Sequence, residues 1–64
     1  MPLSSREILQ RLREAGWRIE GQSGAHVQLA HPSKRGKVTV PHPRRDLPKG
    51  TIRSIERQAG IKLR

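Results

Sequence analysis

Residues 17–40 read WRIEGQSGAHVQLAHPSKRGKVTV, and this stretch decides the fold. Apolar and polar side chains alternate along three short runs, which span residues 17–22, 26–30 and 37–40. Alternation with a period of two is typical of β-strands that bury one face. Ser23-Gly24 separates the first two runs, and a basic segment with Pro32 and Gly36 separates the last two. The pattern therefore predicts an antiparallel meander of three strands.

A helix is predicted before the strands, over residues 4–15. Ser4 and Glu7 have the spacing of a capping box, and Gly16 stands where a glycine commonly ends a helix. The apolar residues of this segment recur at helical spacing and form one stripe: Ile8, Leu9, Leu12 and Ala15. The segment is therefore expected to pack one face on the sheet.

A second helix is predicted over residues 51–59, after a proline-rich loop at 41–50. Its apolar residues, Ile52, Ile55 and Ala59, recur at i, i+3 and i+7. Gly60 is expected to end this helix, and Ile61 and Leu63 are expected to pack back on the core.

The element order α-β-β-β-α predicts a single-domain α+β fold over residues 1–64, a two-layer sandwich with both helices on one face of the sheet. The strand residues expected to face the helices are Trp17, Ile19, Val27, Leu29, Val38 and Val40. The residues expected on the other face are His26, Gln28, Lys37 and Thr39. No element remains to cover that second face, which is called the open face below.

Composition narrows the class of protein. The 64 residues carry 14 Lys and Arg against 5 Asp and Glu, a net charge of +9. Such a balance favours a polyanionic partner, nucleic acid first and an acidic protein second. The single aromatic residue, Trp17, argues against a single-strand stacking platform. The core of so small a domain is thin, so any chemistry is expected on an open face or shallow groove.

Other classes of protein are excluded or disfavoured. The chain has no cysteine, which excludes disulfides and cysteine-based zinc sites. No apolar run has the length of a membrane span or signal peptide, so we expect a cytoplasmic protein without a membrane partner. Nothing in the sequence predicts a small-molecule cofactor.

His26 is the main candidate for chemistry, because it begins a strand on the open face beside a turn. Cleavage of RNA needs a base for the 2′-hydroxyl proton and an acid for the leaving oxygen, and histidine side chains serve either role near neutral pH. The competing interpretation is a solvated strand histidine. His42, between two prolines, is a weaker candidate for a second proton donor or a phosphate contact. Neither carboxylates nor cysteines stand at ligand spacing with the histidines, so no metal site is predicted.

Basic residues in three places are predicted to bind phosphates. Lys34, Arg35 and Lys37 are expected to supply the cations beside His26. The start of the second helix offers free backbone N–H groups at residues Lys49, Gly50 and Thr51, with Arg53 in the first turn. A plain helix cap explains this start equally well. Arg44 and Arg45 precede it in the loop and extend the same stripe.

Two segments resemble a known family: GAHVQLAHP at residues 24–32 and VTVPHPRRDLPKGTIRSIERQAGI at residues 38–61. They are similar to the HicA-type, or YcfA-like, toxins of bacterial toxin–antitoxin pairs, and the resemblance runs from about Ser5 to Ile61. It implies a double-stranded-RNA-binding-like fold and a metal-independent endoribonuclease that cleaves mRNA. It also implies a HicB-type antitoxin as protein partner.

By the same resemblance His26 is the catalytic residue, since Gly24-Ala25-His26 corresponds to the family motif Gly-Ser-His. Ala25 departs from that motif and removes a hydroxyl group. A small RNA-binding module without enzymatic activity therefore stays open as an alternative, and a ribosome-associated structural protein is a third.

Overall fold

The computed structural model describes residues 3–63, which form two helices and one sheet. The element bounds are α1 Ser5–Glu14, β1 Arg18–Ser23, β2 His26–His31, β3 Lys34–Pro41 and α2 Lys49–Ala59. The strands form one antiparallel sheet in the order β1-β2-β3. The predicted fold class, a two-layer α-β-β-β-α sandwich, is confirmed.

Both predicted ends of α1 are confirmed. The Ser4 hydroxyl accepts from the amide of Glu7, and the Glu7 carboxylate accepts from the amide of Ser4. These reciprocal bonds satisfy amide groups that have no partner within the helix. Gly16 follows the last turn with φ of +97°. That conformation suits glycine, because a β-carbon would be strained there.

Two predicted starts of elements are wrong by more than one residue. β3 begins at Lys34 instead of residue 37, because the β2–β3 connection is shorter than the basic segment 31–36 and His31 already pairs with Lys34. α2 begins at Lys49 instead of residue 51, because Pro48 supplies the flanking position and proline is compatible with a helix start. Gly60 ends α2 in the left-handed conformation, as predicted.

The core lies between the helices and one face of the sheet. Its buried apolar side chains are Leu3, Ile8, Leu9, Leu12, Trp17, Val27, Leu29, Val38, Val40, Leu47, Ile52, Ile55, Ala59 and Leu63. Leu63 packs back as predicted, and Ile61 is partly buried against the same cluster.

Two predicted core residues are wrong: Ala15 is exposed just past the end of α1, and Ile19 is 49% exposed. Ile19 pairs with buried Leu29 and so faces the helices, but β1 is an edge strand whose outer part the helices leave uncovered. A bulge follows at Glu20, where the register with β2 shifts. The alternation gave the direction of Ile19 correctly and its burial wrongly.

The two helices run in the same direction across the sheet. The amide of Ser5, at the start of α1, donates to the carbonyl of Arg44, just beyond β3. The carbonyl of Ala15, past the end of α1, contacts the ring of His31, and Lys34 bonds the carbonyl of Ala59 at the end of α2. Both helices therefore begin at the end of the sheet where His26 pairs with Pro41, which is called the His26 end below. Both helices finish at the opposite end, which is called the His31 end.

Within residues 3–63 neither helix has the length and apolar character needed to cross a membrane.

Candidate functional site

His26 lies on the open face, as predicted. It is the first residue of β2 and is exposed, while its neighbour Val27 is buried toward the helices. Its pairing partners are Ser23 on β1 and Pro41 on β3. Since paired residues share a face of the sheet, both partners flank the imidazole from the same side. The ring is thus freely accessible to a large ligand.

Ser23 is a candidate that sequence reasoning missed. It stands directly opposite His26 across the two-residue turn at Gly24-Ala25. Directly paired strand residues have β-carbons about 5 Å apart, within reach of a hydroxyl–imidazole contact. The turn length was the signal for this pairing, because a two-residue hairpin turn fixes the strand register. Ser23 supplies a hydroxyl group next to the position where Ala25 lacks one.

His42 lies close to His26 along the backbone but on the other face. Its amide donates to the carbonyl of Ala25 at 2.7 Å, which continues the β2–β3 ladder by one pair. Its ring points toward the helices, where Nδ1 is 2.7 Å from the hydroxyl of Ser5. The structure therefore brings the His42 backbone to the site while turning its side chain away from the imidazole of His26.

Ser5 fixes this part of the loop and was also missed, because nothing in the sequence connects it with residues 42–44. It is buried, at 1% exposure. Its hydroxyl accepts from the amide of Arg44 at 2.9 Å and contacts Nδ1 of His42. Its amide donates to the carbonyl of Arg44 at 2.9 Å. One buried side chain thus anchors the segment that carries Arg44 and Arg45 beside the start of β2.

Cations gather at the His26 end from the loop and from the start of α2. Arg44, Arg45, Lys49 and Arg53 are all exposed, and Thr51 is half-buried. No side chain of residues 3–63 caps the start of α2, where the first amide groups have no acceptor within the helix. A β-carbon added to Gly50 would meet no described atom within 4 Å, which leaves the backbone there open to close approach. Such an amino end attracts phosphate oxygens.

The expectation that Lys34, Arg35 and Lys37 flank His26 is wrong. Lys34 pairs with His31 at the far end of the sheet, and its ammonium group donates to the carbonyl of Ala59 at 3.0 Å. Lys37 shares the open face with His26 but lies opposite Ala30, about 13 Å further along the strand. The reason is the direction of the hairpin, which carries this basic segment away from the start of β2.

Lys37 also has a partner of its own on the open face. Its ammonium group forms an ion pair with the carboxylate of Glu20 at 3.1 Å, and both side chains are about half exposed. Arg35 is exposed in the same strand. These residues are available to the distal part of a long ligand, beyond the reach of a phosphate held at His26.

The side chain of His31 makes contacts that stabilise the fold. Its Nε2 lies 3.1 Å from the carbonyl of Ala15, and its Nδ1 accepts from the amide of Ser33 at 3.0 Å. The ring meets Trp17 edge to face with centroids 5.3 Å apart. Both ring nitrogens are therefore used in joining the end of α1 to the β2–β3 hairpin. Among residues 3–63, no group of three His, Asp or Glu residues stands together as a metal site.

Comparison with known proteins agrees with this fold and identifies the family. Residues 5–61 match the family model of the HicA toxin of bacterial toxin-antitoxin systems. The chain belongs to the HicA toxin family. A solved HicA3 and HicB3 toxin-antitoxin complex contains a chain that is 41% identical and superposes on this HicA-family protein with a TM-score of 0.85. The match covers 97% of the present chain and 100% of the other. No curated protein matches the sequence.

Membership of the HicA family makes the protein a toxin of a toxin–antitoxin system. The functional question is then which surface of this HicA chain acts on the cell and which surface receives a partner protein.

Proposed function

We propose that this HicA-family toxin is a metal-independent endoribonuclease that cleaves mRNA, with His26 as the proton-transfer residue. The observation that carries the proposal is the exposed imidazole of His26 at the end of an uncovered sheet face. The preceding residue, Ala25, is hydrogen-bonded to His42, in the loop that carries Arg44 and Arg45. A chain with a net charge of +9 suits a polyanionic substrate.

The chemistry assigned to His26 is transfer of the 2′-hydroxyl proton. As the imidazole removes that proton, the 2′-oxygen attacks the adjacent phosphorus and the bond to the 5′-oxygen breaks. The leaving oxygen takes up a proton, from the imidazolium or from water, and the products carry a 2′,3′-cyclic phosphate and a 5′-hydroxyl. A positioned acid or base contributes about 10²–10⁴ in rate, so a single histidine suits a slow nuclease.

We assign the stabilisation of negative charge on the reacting phosphate to the cations of the His26 end. Arg44 and Arg45 are exposed in the loop before α2, and Lys49, Gly50, Thr51 and Arg53 form the first turns of that helix. Positive groups fixed next to a developing negative charge stabilise the transition state without reorganisation. Arg35 and Lys37 serve the RNA strand further along the sheet, and Lys34 contributes only its long-range field.

Two groups are assigned secondary roles. Ser23 orients the imidazole of His26 or contacts the ribose, which compensates for alanine at position 25. His42 serves as a phosphate contact or positions the loop, because its ring faces away from that of His26.

The protein partner that we propose is a HicB-type antitoxin. The similar solved chain is part of a HicA3 and HicB3 complex. A strongly basic toxin with an exposed active face is complementary to an acidic inhibitor, which would compete with RNA for the same charges. We assign the protein to the cytoplasm, where its mRNA substrate is found.

One observation favours a second function, a non-catalytic RNA-binding module. His26 and His42 lie on opposite faces, so within residues 3–63 no second histidine shares the face of His26. A concerted acid–base pair of histidines is therefore absent from the described part of the chain. Such a module would read the shape and phosphates of RNA.

The test is single-turnover cleavage of labelled RNA by purified wild type and His26→Ala, in buffer with a chelator. The wild type is expected to give chelator-resistant fragments with cyclic phosphate ends. His26→Ala is expected to slow cleavage by at least about 100-fold and to relieve growth inhibition, because it removes the proton carrier. RNA affinity is expected to change little, since the core and the cations stay in place.

Gln28→Ala is the matched control, because it removes an exposed polar side chain from the same strand and face. Its cleavage rate at saturating protein is expected to stay close to the wild-type rate. Wild-type cleavage by His26→Ala would reject the mechanism. Intact RNA with tight wild-type binding would favour the non-catalytic module.

A further inference from the structure

A pocket outside the open face lies between α1 and the edge strand β1. Its floor is apolar and includes Leu9, which is buried, and Ile19, which is about half exposed. Its volume is about 640 Å³, within the range of about 300–1,000 Å³ that is usual for sites of small organic ligands. Covering the exposed part of Ile19 is favourable, because it removes apolar surface from water. The pocket therefore offers room and apolar contact to a flat organic group.

One wall of the pocket is a row of polar side chains on α1. Arg6, Gln10 and Arg13 are exposed and recur at helical spacing, so they lie on the same side of the helix. Glu14, which follows Arg13, adds a carboxylate to the lining. Guanidinium planes are surfaces on which RNA bases stack, and amide and carboxylate groups hydrogen-bond to base edges. The wall therefore combines positive charge with groups that bind a nucleobase.

The ring of His42 also lines the pocket, and a buried serine fixes its orientation. Its Nδ1 atom is 2.7 Å from the hydroxyl oxygen of Ser5, which accepts from the amide of Arg44. The hydroxyl proton has two acceptors in reach, Nδ1 at 2.7 Å and the carbonyl of Arg44 at 3.2 Å. Donation to Nδ1, the nearer acceptor, leaves the proton of the neutral ring on Nε2. In the charged ring both nitrogens carry protons, so Nε2 is a donor in either state.

Nε2 of His42 is available to a ligand in the pocket. It takes part in none of the hydrogen bonds formed within residues 3–63, and the residue is half-buried. Ser5 is 1% exposed and is bonded to both His42 and Arg44, so it holds the ring in place before any ligand arrives. A fixed N–H donor in the same pocket as two arginines suits the oxygens of a phosphate group.

We propose that this pocket is a subsite for one nucleotide of the RNA strand, outside the reacting phosphodiester. The base covers Ile19 and turns its edge to Gln10. The phosphate of that nucleotide accepts from Nε2 of His42 and from an arginine of the wall. This proposal rests on the proposed RNA-cleaving function, and it specifies a part of the RNA chain that the toxin holds away from His26.

The subsite adjoins the end of the sheet where RNA is proposed to react. The amide of His42 donates to the carbonyl of Ala25, the residue before His26, while the rings of His42 and His26 lie on opposite sides of the sheet. Packed layers are about 10 Å apart, a distance that a short segment of extended RNA covers. An RNA occupant is favoured over a protein segment because the subsite continues the proposed substrate surface.

The charge of the pocket is tested by binding of a labelled single-stranded RNA, measured by fluorescence anisotropy. All chains carry His26→Ala in addition, so that binding is measured without cleavage. Arg13→Gln removes a charge from the pocket, and Arg57→Gln removes one from the exposed surface of α2 outside it. Arg13→Gln is expected to weaken binding at least about fivefold and to lower the slope of log affinity against log salt concentration by about 0.7. Arg57→Gln is expected to weaken binding less than about twofold, and equal effects would overturn the proposal.

The contact with the base is tested at Ile19, with RNA and with an abasic strand of the same length. Ile19→Ser removes the apolar floor without adding charge, and Ile19→Val keeps it. Ile19→Ser is expected to weaken RNA binding at least about threefold, because a half-exposed isoleucine is no longer covered. Ile19→Val is expected to bind within about twofold of the parent. Binding of the abasic strand is expected to be the same for both variants, and an equal loss for RNA and the abasic strand would overturn the base contact.

The outcomes separate this subsite from the nuclease function. Urea denaturation of each variant distinguishes a loss of binding from a loss of folding. Unchanged RNA affinity of Arg13→Gln and Ile19→Ser would overturn the proposal in favour of a protein occupant. If the wild type leaves RNA intact and these variants still lose affinity, the cleavage mechanism fails and the subsite is supported.

Discussion

Each end of the sheet contains a histidine and basic side chains, but the two histidines differ in whether they hydrogen-bond within the chain. At the His31 end, the histidine uses both ring nitrogens on backbone groups, and the ammonium group of Lys34 is bonded to the carbonyl of Ala59. At the His26 end, the imidazole is exposed and takes part in none of the side-chain hydrogen bonds formed within residues 3–63. A basic side chain that already has partners supports the fold, whereas one without partners is available to a ligand.

The direction of the helices accounts for this difference. Carbonyl groups at the carboxyl ends of helices need donors, and His31 and Lys34 supply them within the chain. Amide groups at the start of α2 need acceptors, and no side chain of residues 3–63 caps them. Arg45 and Lys49 near this start are donors, and Asp46 is the carboxylate of the preceding loop. The side chains of His31 and Lys34 thus have acceptors or donors within the chain, and we propose that an anion from outside binds the His26 end.

Gly16→Ala disrupts the contacts of the His31 end and has the largest expected effect on stability. Gly16 has φ of +97°, and a β-carbon there would stand 2.7 Å from Nε2 of His31. The strained backbone and the displaced ring are expected to lower the free energy of unfolding by about 2–3 kcal/mol. Urea denaturation followed by tryptophan fluorescence measures the change. Wild-type stability would mean that the His31 contacts are dispensable.

Arg44→Gln combined with Arg45→Gln tests the functional end against Lys34→Gln. Each single-strand phosphate contact contributes about 0.7 to the slope of log affinity against log salt concentration. The double substitution is expected to reduce that slope by up to about 1.4, if each residue neutralises one phosphate. Lys34→Gln is expected to change the slope little, because its ammonium group is held by Ala59. RNA binding measured at several salt concentrations gives the slopes, and the reverse ranking would contradict the comparison.

Gly50→Ala has the smallest expected effect and separates stability from binding. A β-carbon at Gly50 meets no described atom within 4 Å, and alanine favours helix formation, so the free energy of unfolding is expected to rise by about 0.5–1 kcal/mol. If a phosphate approaches this backbone closely, the added methyl group weakens RNA binding at the same time. Thermal unfolding and RNA titration on one sample measure both quantities, and increased RNA affinity would contradict the assigned contact.

Sequence reasoning predicted the element order and the direction of most side chains. The alternation in residues 26–30 placed His26 on the open face and Val27 on the core face, and both are confirmed. The capping box at Ser4 and Glu7 and the terminal glycine of α2 are confirmed as well. These features depend on residues within a few positions of one another, where backbone geometry alone relates sequence spacing to direction.

The same reasoning misplaced the cations and the burial of Ile19. Spacing along a strand does not tell how far a helix extends over it, so Ile19 was assigned to the core when it lies on an uncovered edge. The direction of a hairpin decides which end of the sheet its basic residues reach, and Lys34 reaches the far end. The bond between Ser5 and His42 joins residues 37 positions apart and has no local signal.

The sequence by itself determined a small basic α+β domain, the faces of its strands, and one histidine directed away from the core. Only the tertiary structure decided which basic residues lie at the far end of the sheet, which histidine hydrogen-bonds to the backbone, and which part of the edge strand stays uncovered. The physical reason is that side-chain direction follows from local backbone periodicity. The burial of a side chain, its hydrogen-bond partners and the electrostatic potential around it depend on how elements that are distant in sequence pack together.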